Sequence, residues 1–557
     1  MKKYKIFKIS ILLLSASFIV VSCTKLNENL NSTLNQADGN KFAYLALNAA
    51  YNDIGLIYVD PGNEMQLQEV SGDECVVPIR GTDWADGGYH VQLKLHNWTR
   101  NGPTSGSILE GQFTALNKLN YDATTATASG SPDQIGQAKF IRAIACYQLL
   151  DLFGQFPLRQ PGEDLLKPAK VYSGDSAVQF LISELNFSIA NLSTGNPNTI
   201  ANVNAARLLL MKVYLGRGAF NHLANPVFAD ADLQQVITLG TAMGAFSPTF
   251  EKYYFDIFSA NNSTTPEAVF ALPNKIGNTS STNPSLQNRW YATLHYNSFD
   301  GGGIYGQAGW NGFSTLGDFY NTFGVNGTNL TQTSADTTVD DRIGGRFYKG
   351  VTDISGLRAG ILIGQQYNEA GQPLQDRKNN PLSFRNGSDI PASVDISSVP
   401  AFESDGYRVL KYTPDFTSGA KGNWLSYKNP GNSFIFFRYS DALLMVAEAK
   451  MRLSTPDNIG ALALVNTLRV ARHATPLTSM TLVNTSNVYD PNTLLAERGR
   501  ELYWENMRRT DLIRFGVFGI AWRLKPADGA KYFVFPMPQA DLNANPNLLA
   551  NIQGTTY

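Results

Sequence analysis

The sequence predicts a mainly α protein: a helical-repeat scaffold interrupted by an irregular, loop-rich lobe that carries short strands. Three observations predict it. Apolar residues recur at three- and four-residue spacing in segments of about fifteen residues joined by short turns. That periodicity lapses between Phe246 and Asn432, where Gly, Asn, Ser, Thr and Pro dominate. It returns in further segments before the chain ends.

Taken in order, Thr24–Gly39 is a polar tether, and Phe42–Gly55 places Ala, Leu and Tyr at helical spacing. Glu69–His96 reads as loop and short strand. Helices are predicted over Ile108–Leu119 and Ile135–Phe153, the second stopped by Gly154 and Pro157. Further helices cover Ser176–Leu192, Asn204–Phe220 and Asp230–Met243. In the irregular lobe Ala268–Leu272 and Arg408–Tyr412 read as strands. The closing helices are Arg438–Leu453, Ile459–Arg472 and Leu494–Arg508. The expected organisation is therefore 1–22 as a leader, 23–245 helical, 246–432 irregular and 433–557 helical. Residues 23–557 are expected to form one compact unit.

The amino terminus carries an address. Met1–Lys8 is basic, and Ile9–Val21 is an apolar run too short for an ordinary transmembrane helix. Val20-Val21-Ser22-Cys23 then ends a secretory signal peptide at a cysteine, a pattern that looks like a bacterial lipobox and implies lipidation of Cys23. Formal net charge is −1, and without the leader lysines Lys2, Lys3, Lys5 and Lys8 it is −5. A mildly acidic chain has no general attraction for nucleic acid. Cys146 falls in an apolar helical run and Cys75 in a loop-like stretch, and they are expected to remain unpaired.

Motifs for catalysis are sparse. Gly301-Gly302-Gly303-Ile304-Tyr305-Gly306 satisfies G-x-G-x-x-G but does not clearly sit between a strand and a helix. There is no P-loop, H-E-x-x-H or G-x-S-x-G. Asp73-Glu74 and Asp340-Asp341 are adjacent acids, but adjacency in a loop does not make a catalytic pair. No cofactor is called for. Asp340 and Asp341 with Asp336 could hold a structural calcium ion, although the glycine spacing does not fit an EF-hand loop.

Four segments, in order, resemble the SusD/RagB family. They are Ala138–Ala143 running to Leu152-Phe153-Gly154-Gln155-Phe156-Pro157-Leu158; Arg438–Ala449; Glu497–Glu505 with Arg508–Gly516; and Phe535-Pro536-Met537-Pro538 with Asn545-Pro546 and Tyr557. The resemblance implies a tetratricopeptide-like scaffold and an outer-membrane lipoprotein facing the cell exterior. It also implies that the protein captures glycans, without chemistry, for a SusC-like TonB-dependent transporter. The alternatives are a surface glycoside hydrolase and a peptide-capturing member of the same family. The motifs themselves read as scaffold packing, with Arg498/Glu501 and Glu505/Arg509 as pairs along one helix.

A sugar presents axial hydrogens on one face and hydroxyls at its edge, so its site needs a flat ring with polar groups nearby. Trp84 is the leading candidate. Asp83 and Asp86 flank it as acceptors, Arg80 is a donor, and Gly81, Gly87 and Gly88 allow close approach. Its Arg80–Gly88 segment resembles a loop near the ligand face in relatives. The competing role is a tryptophan that anchors the loop to the helices. Trp310 is next, in a stretch where six glycines surround Tyr305, Gln307 and Asn311. Arg385 and Tyr412 are further candidates on the irregular lobe, whereas Trp290, Tyr291 and Tyr296 read as core.

Overall fold

A computed structural model describes residues 36–80, 83–102, 108–164, 166–260, 262–274, 285–298, 309–324, 340–344, 359–367, 372–385, 402–413 and 431–553. From Ala43 onward the chain forms one compact unit. Among the described residues the architecture is mainly helical with short two-stranded ladders. Helix α1 (Gln36–Tyr58) leads into a π-helical segment (Pro61–Val70). After α2 (Tyr89–Leu95) come α3 (Glu110–Ala126) and α4 (Pro132–Phe153). Helices α5 (Gly174–Asn191), α6 (Val203–Asn221) and α7 (Asp230–Met243) follow, and each helix from α3 to α7 packs on the next. Late in the chain, α8 (Tyr439–Arg452) packs on α7, α6 and α9 (Asn458–Ala471), extending the stack.

Local signals set the helix ends. Ser131 and Gln134 form a reciprocal capping box, Pro132 occupies the first turn, and Gly154 closes α4 at φ 70°. Strand β1 (Gln155–Leu158) then pairs antiparallel with β2 (Lys170–Ser173). Strand β3 (Ala268–Leu272), from the irregular region, pairs with β4 (Phe434–Arg438), which runs directly into α8. This ladder ties the irregular lobe to the scaffold.

Two sequence expectations need correction. Glu69–His96 holds α2 as well as the end of the π-helical segment. The buried face of α2 includes His90 and Lys94, so no apolar stripe marked it. Lys94 is buried because its Nζ donates to the carbonyls of Gly72 (2.6 Å) and Cys75 (2.9 Å). The expected helix Leu494–Arg508 is in fact two, α10 (Leu494–Leu502) and α11 (Arg508–Arg514), with Trp504 and Asn506 in left-handed conformations between them. The pairs expected along one helix give way to long-range ones. Arg498 binds Asp511 and Asp441, Glu505 binds Arg438 and Lys411, and Arg509 binds Asp151. Cys75 and Cys146 are buried free thiols. Cys23, Tyr305, Asp336 and Tyr557 lie outside the described residues.

The core also holds carboxyls. Glu64 accepts from the amides of Gln68 (3.0 Å), Gln112 (2.6 Å) and Gln148 (2.5 Å). Burial drives its carboxyl up to about 8, partly opposed by the Gln68 hydrogen bond. The folded state therefore holds this proton more tightly than the unfolded chain. Stability falls as pH rises from the ordinary carboxyl value of 4.5 towards 8. Glu64→Gln is expected to remove that decline, raising the urea midpoint at pH 8 and leaving it nearly unchanged at about pH 4. Parallel midpoint-versus-pH curves for the two proteins would refute this.

Candidate functional site

The irregular lobe builds a ledge from segments far apart in the chain. Its floor is organised by two buried arginines. Arg80 is 3% exposed. Its guanidinium donates to the carbonyls of Asn311 (2.6 Å), Phe402 (2.7 Å) and Asp405 (2.9 Å), and to Ser314 Oγ (2.9 Å). Arg408 donates to Asn311 Oδ1 (2.6 Å), the Glu403 carbonyl (2.8 Å) and Ser314 Oγ (3.0 Å). Burial lowers the Arg80 pKa to about 10, partly opposed by Asp405, so it stays cationic at neutral pH. Arg80 was expected to donate to ligand; instead its planar fork is spent on backbone carbonyls, which makes it a positioning residue.

On that floor stand the rings. Trp84 sits at φ 63°, and Asp86, Gly87 and Gly88 after it are also left-handed. Its indole Nε1 donates to the Trp310 carbonyl at 2.7 Å, which brings the two sequence-singled tryptophans together. The Trp84 ring lies edge-on to Phe313, with centroids 5.8 Å apart, and directly over Gly312. A Cβ at Gly312 would stand 2.2 Å from Trp84 Cζ2, so only glycine fits there. Trp84 is thus a half-buried anchor of the loop. Trp310 is the freer ring, 40% exposed. Its backbone is pinned, since its N–H donates to the Tyr291 carbonyl at 2.6 Å and its own carbonyl accepts from Trp84. Phe402, 66% exposed, adds a second ring, one face of which lies under Arg385.

Polar groups border these rings. Asp83 accepts from Tyr296 Oη (2.5 Å) and Arg377 Nη2 (3.3 Å). The Arg377 guanidinium lies 3.8 Å from the Tyr296 ring centroid. Glu403 takes the Arg377 Nε (2.6 Å) and backbone N–H (3.0 Å). His295 Nδ1 accepts the Asn297 N–H at 3.0 Å, so Nε2 carries the proton and donates to Glu403 (3.1 Å). Burial, helped by Arg408, lowers the His295 pKa to about 4 and keeps the ring neutral. Arg385 pairs with Asp405 and covers the Phe402 ring at 4.8 Å.

Other sequence candidates fall elsewhere. Tyr412 is a core residue, 3% exposed, stacked on Phe434, with its hydroxyl accepting the Ile435 N–H. The strand expected over Arg408–Tyr412 ends at Leu410, and Tyr412, two residues beyond it, turns its ring into the core. Asp340, considered for calcium, is held by the Arg342 Nε (2.8 Å) and Nη2 (2.6 Å), while Asp341 meets His473 Nδ1 at 2.7 Å. No described group of three or more His, Cys, Asp or Glu is arranged for a metal. Asp73 is not a free acid but is gripped by Arg508. Conversely, Tyr296, which read as core, belongs to the ledge, together with Arg377, Phe402 and Glu403, which sequence reasoning passed over. The turn Asp376-Arg377-Lys378-Asn379-Asn380 fell within the region read as irregular, and nothing local joined Arg377 to Asp83, 294 positions away.

The fold and site together define a helical-repeat scaffold whose loop-built ledge presents fixed aromatic rings bordered by hydrogen-bonding groups. Residues 266–554 match the SusD family model, just over half of the chain, and this chain belongs to that family. It is 22% identical to the starch-binding protein SusD of Bacteroides thetaiotaomicron over 87% of this chain and 84% of that one. It is 25% identical to a SusD-like protein of Bacteroides ovatus over 45% of each chain, so that match spans under half of the relative's length. Among solved structures, a SusD superfamily protein of Parabacteroides distasonis superposes with a TM-score of 0.63 at 14% identity, covering 92% and 99% of the two chains. A laminarin-binding SusD-like protein gives 0.58 at 16%, covering 91% and 97%. No described helix is long and apolar enough to cross a membrane.

Proposed function

We propose that this chain captures oligosaccharide at the outer surface of the outer membrane, held there by lipid on Cys23, and passes it to a SusC-like TonB-dependent transporter without cleaving it. The observation that carries the reading is Trp310: an exposed ring on a backbone hydrogen-bonded on both sides, within a contact chain that reaches Asp83 and Arg377 through Trp84. A ring already held in place loses little freedom when a sugar stacks on it. Family membership and the lipobox-like leader support the same reading, as do the relatives named for starch and laminarin binding.

The test is calorimetry with starch- and laminarin-derived oligosaccharides on wild type and Trp310→Ala. Loss of one stacking ring is expected to weaken binding about tenfold or more, roughly 1.4 kcal/mol, with the melting temperature unchanged. Equal affinities would remove Trp310 from the site. Release of shorter sugars on incubation would replace capture with hydrolysis.

A further inference from the structure

Resting on the glycan-capture reading, we infer that the ledge selects uncharged oligosaccharides and excludes uronic acid-containing or sulfated ones. The charges beside the rings are already spoken for. Arg377 is engaged through Nε and its backbone N–H by Glu403 and through Nη2 by Asp83, and one face of its guanidinium covers Tyr296. Arg385 is held by Asp405. Planar, two-point recognition of a carboxylate or sulfate is favoured by a guanidinium free to offer two parallel N–H donors. Here an anion taken by the remaining Nη donors would lie beside Glu403 and Asp83, whose carboxylates already neutralise Arg377 and repel the anion. Lys378 is exposed and has no carboxylate partner among the described residues, and it stands as a single cation against the carboxylates of Asp83, Glu403 and Asp405 on the ledge.

What remains available suits hydroxyls. Arg377 Nη1 makes no hydrogen bond within the described ledge, and the partly exposed Asp83 side chain takes Tyr296 and Arg377 on Oδ2, with no hydrogen bond to Oδ1 among the described residues. One donor and one acceptor on fixed side chains, next to an exposed indole, match a vicinal diol on a neutral pyranose. The pairing with Glu403 then acts as a specificity device: it orients Arg377 and cancels its charge towards ligand.

The experiment is calorimetry on the full chain with neutral gluco-oligosaccharides and with oligogalacturonides and sulfated oligosaccharides of equal length, at about 50 and 500 mM salt. Neutral ligands are expected to bind with a Kd that changes less than about twofold across that range, while the anionic ones show no measurable binding. Glu403→Gln, which keeps the shape but frees the Arg377 charge, is expected to gain binding to the galacturonides that weakens about tenfold or more in high salt. Anionic sugars binding wild type as tightly as neutral ones would overturn the selectivity while leaving glycan capture standing. Binding of neither class would overturn both.

Discussion

Replacing Glu501 with glutamine is expected to cost about 3–5 kcal/mol, a large fraction of the roughly 5–15 kcal/mol stability of an ordinary domain, and to bring the melting temperature down sharply. Glu501 is fully buried. Its carboxylate meets Arg438 Nη1 at 2.5 Å, Arg472 Nη2 at 2.7 Å and Arg342 Nη1 at 3.2 Å. Glu267, Glu497 and Glu505 complete the cluster by pairing with Arg472, Arg342 and Arg438. Each arginine keeps another partner after the substitution, so the loss is the charge balance of the group rather than one contact. The double variant Glu497→Gln/Glu501→Gln leaves Arg342 with Asp340 alone and is expected to yield no folded protein.

The same cluster sets the acid limit. Burial alone would raise the Glu501 carboxyl, but Arg472, Arg438 and Arg342 overcome it and hold it well below the usual range. Glu505 is held low by Arg438 and Lys411 against the same burial. Carboxyls with depressed folded values contribute stability that is complete above the unfolded value near 4.5 and is lost as pH falls through the folded values. Urea midpoints measured downward from pH 5 are therefore expected to fall steeply in wild type and less steeply in Glu501→Gln. A variant as stable as wild type at pH 7 would show that the cluster does not hold the scaffold.

Arg80→Met is expected to abolish glycan binding, with Kd rising about a hundredfold or more, while most of the helical circular dichroism remains. The methionine fills part of the space but leaves the buried Asn311 carbonyl and the part-buried Phe402 carbonyl without this donor, at up to about 1–3 kcal/mol each, while the Asp405 carbonyl keeps only Arg408 Nη1 at 2.9 Å. The segments bearing Trp310 and Phe402 are then released from one another. Because Arg80 acts through those segments and not on ligand, Arg80→Lys is expected to restore little: one ammonium cannot reach four acceptors in a plane. Near-wild-type affinity for either variant would refute this role, and loss of helical signal in step with binding would assign Arg80 to the scaffold instead.

Much of the fold was legible in the sequence because the signals that encode it are local. Asp230–Met243 and Ala268–Leu272 appear with the bounds their periodicity and punctuation suggest, and α4 ends at Gly154 as its stop signal requires. Legibility failed where polar residues are buried. His90 and Lys94 disguised α2, and the charges of α10 read as pairs along one helix when every residue from Leu494 to Leu502 is buried and they pair with distant segments. A charge in the sequence carries no mark of the partner that will neutralise it, so its burial cannot be read before the partner is placed.

By itself, then, the chain's sequence determined the helical scaffold, the position of the irregular lobe and two of the rings worth attention, Trp84 and Trp310, since all of these depend on residues a few positions apart. Only the tertiary structure decided which ring faces solvent, that Arg80 builds the ledge and that Tyr412 lies in the core. It alone set Arg377 against Tyr296, Asp83 and Glu403. Those outcomes depend on segments tens to hundreds of residues apart meeting at hydrogen-bond distance, and that meeting is a property of the packed chain and not of any stretch of it.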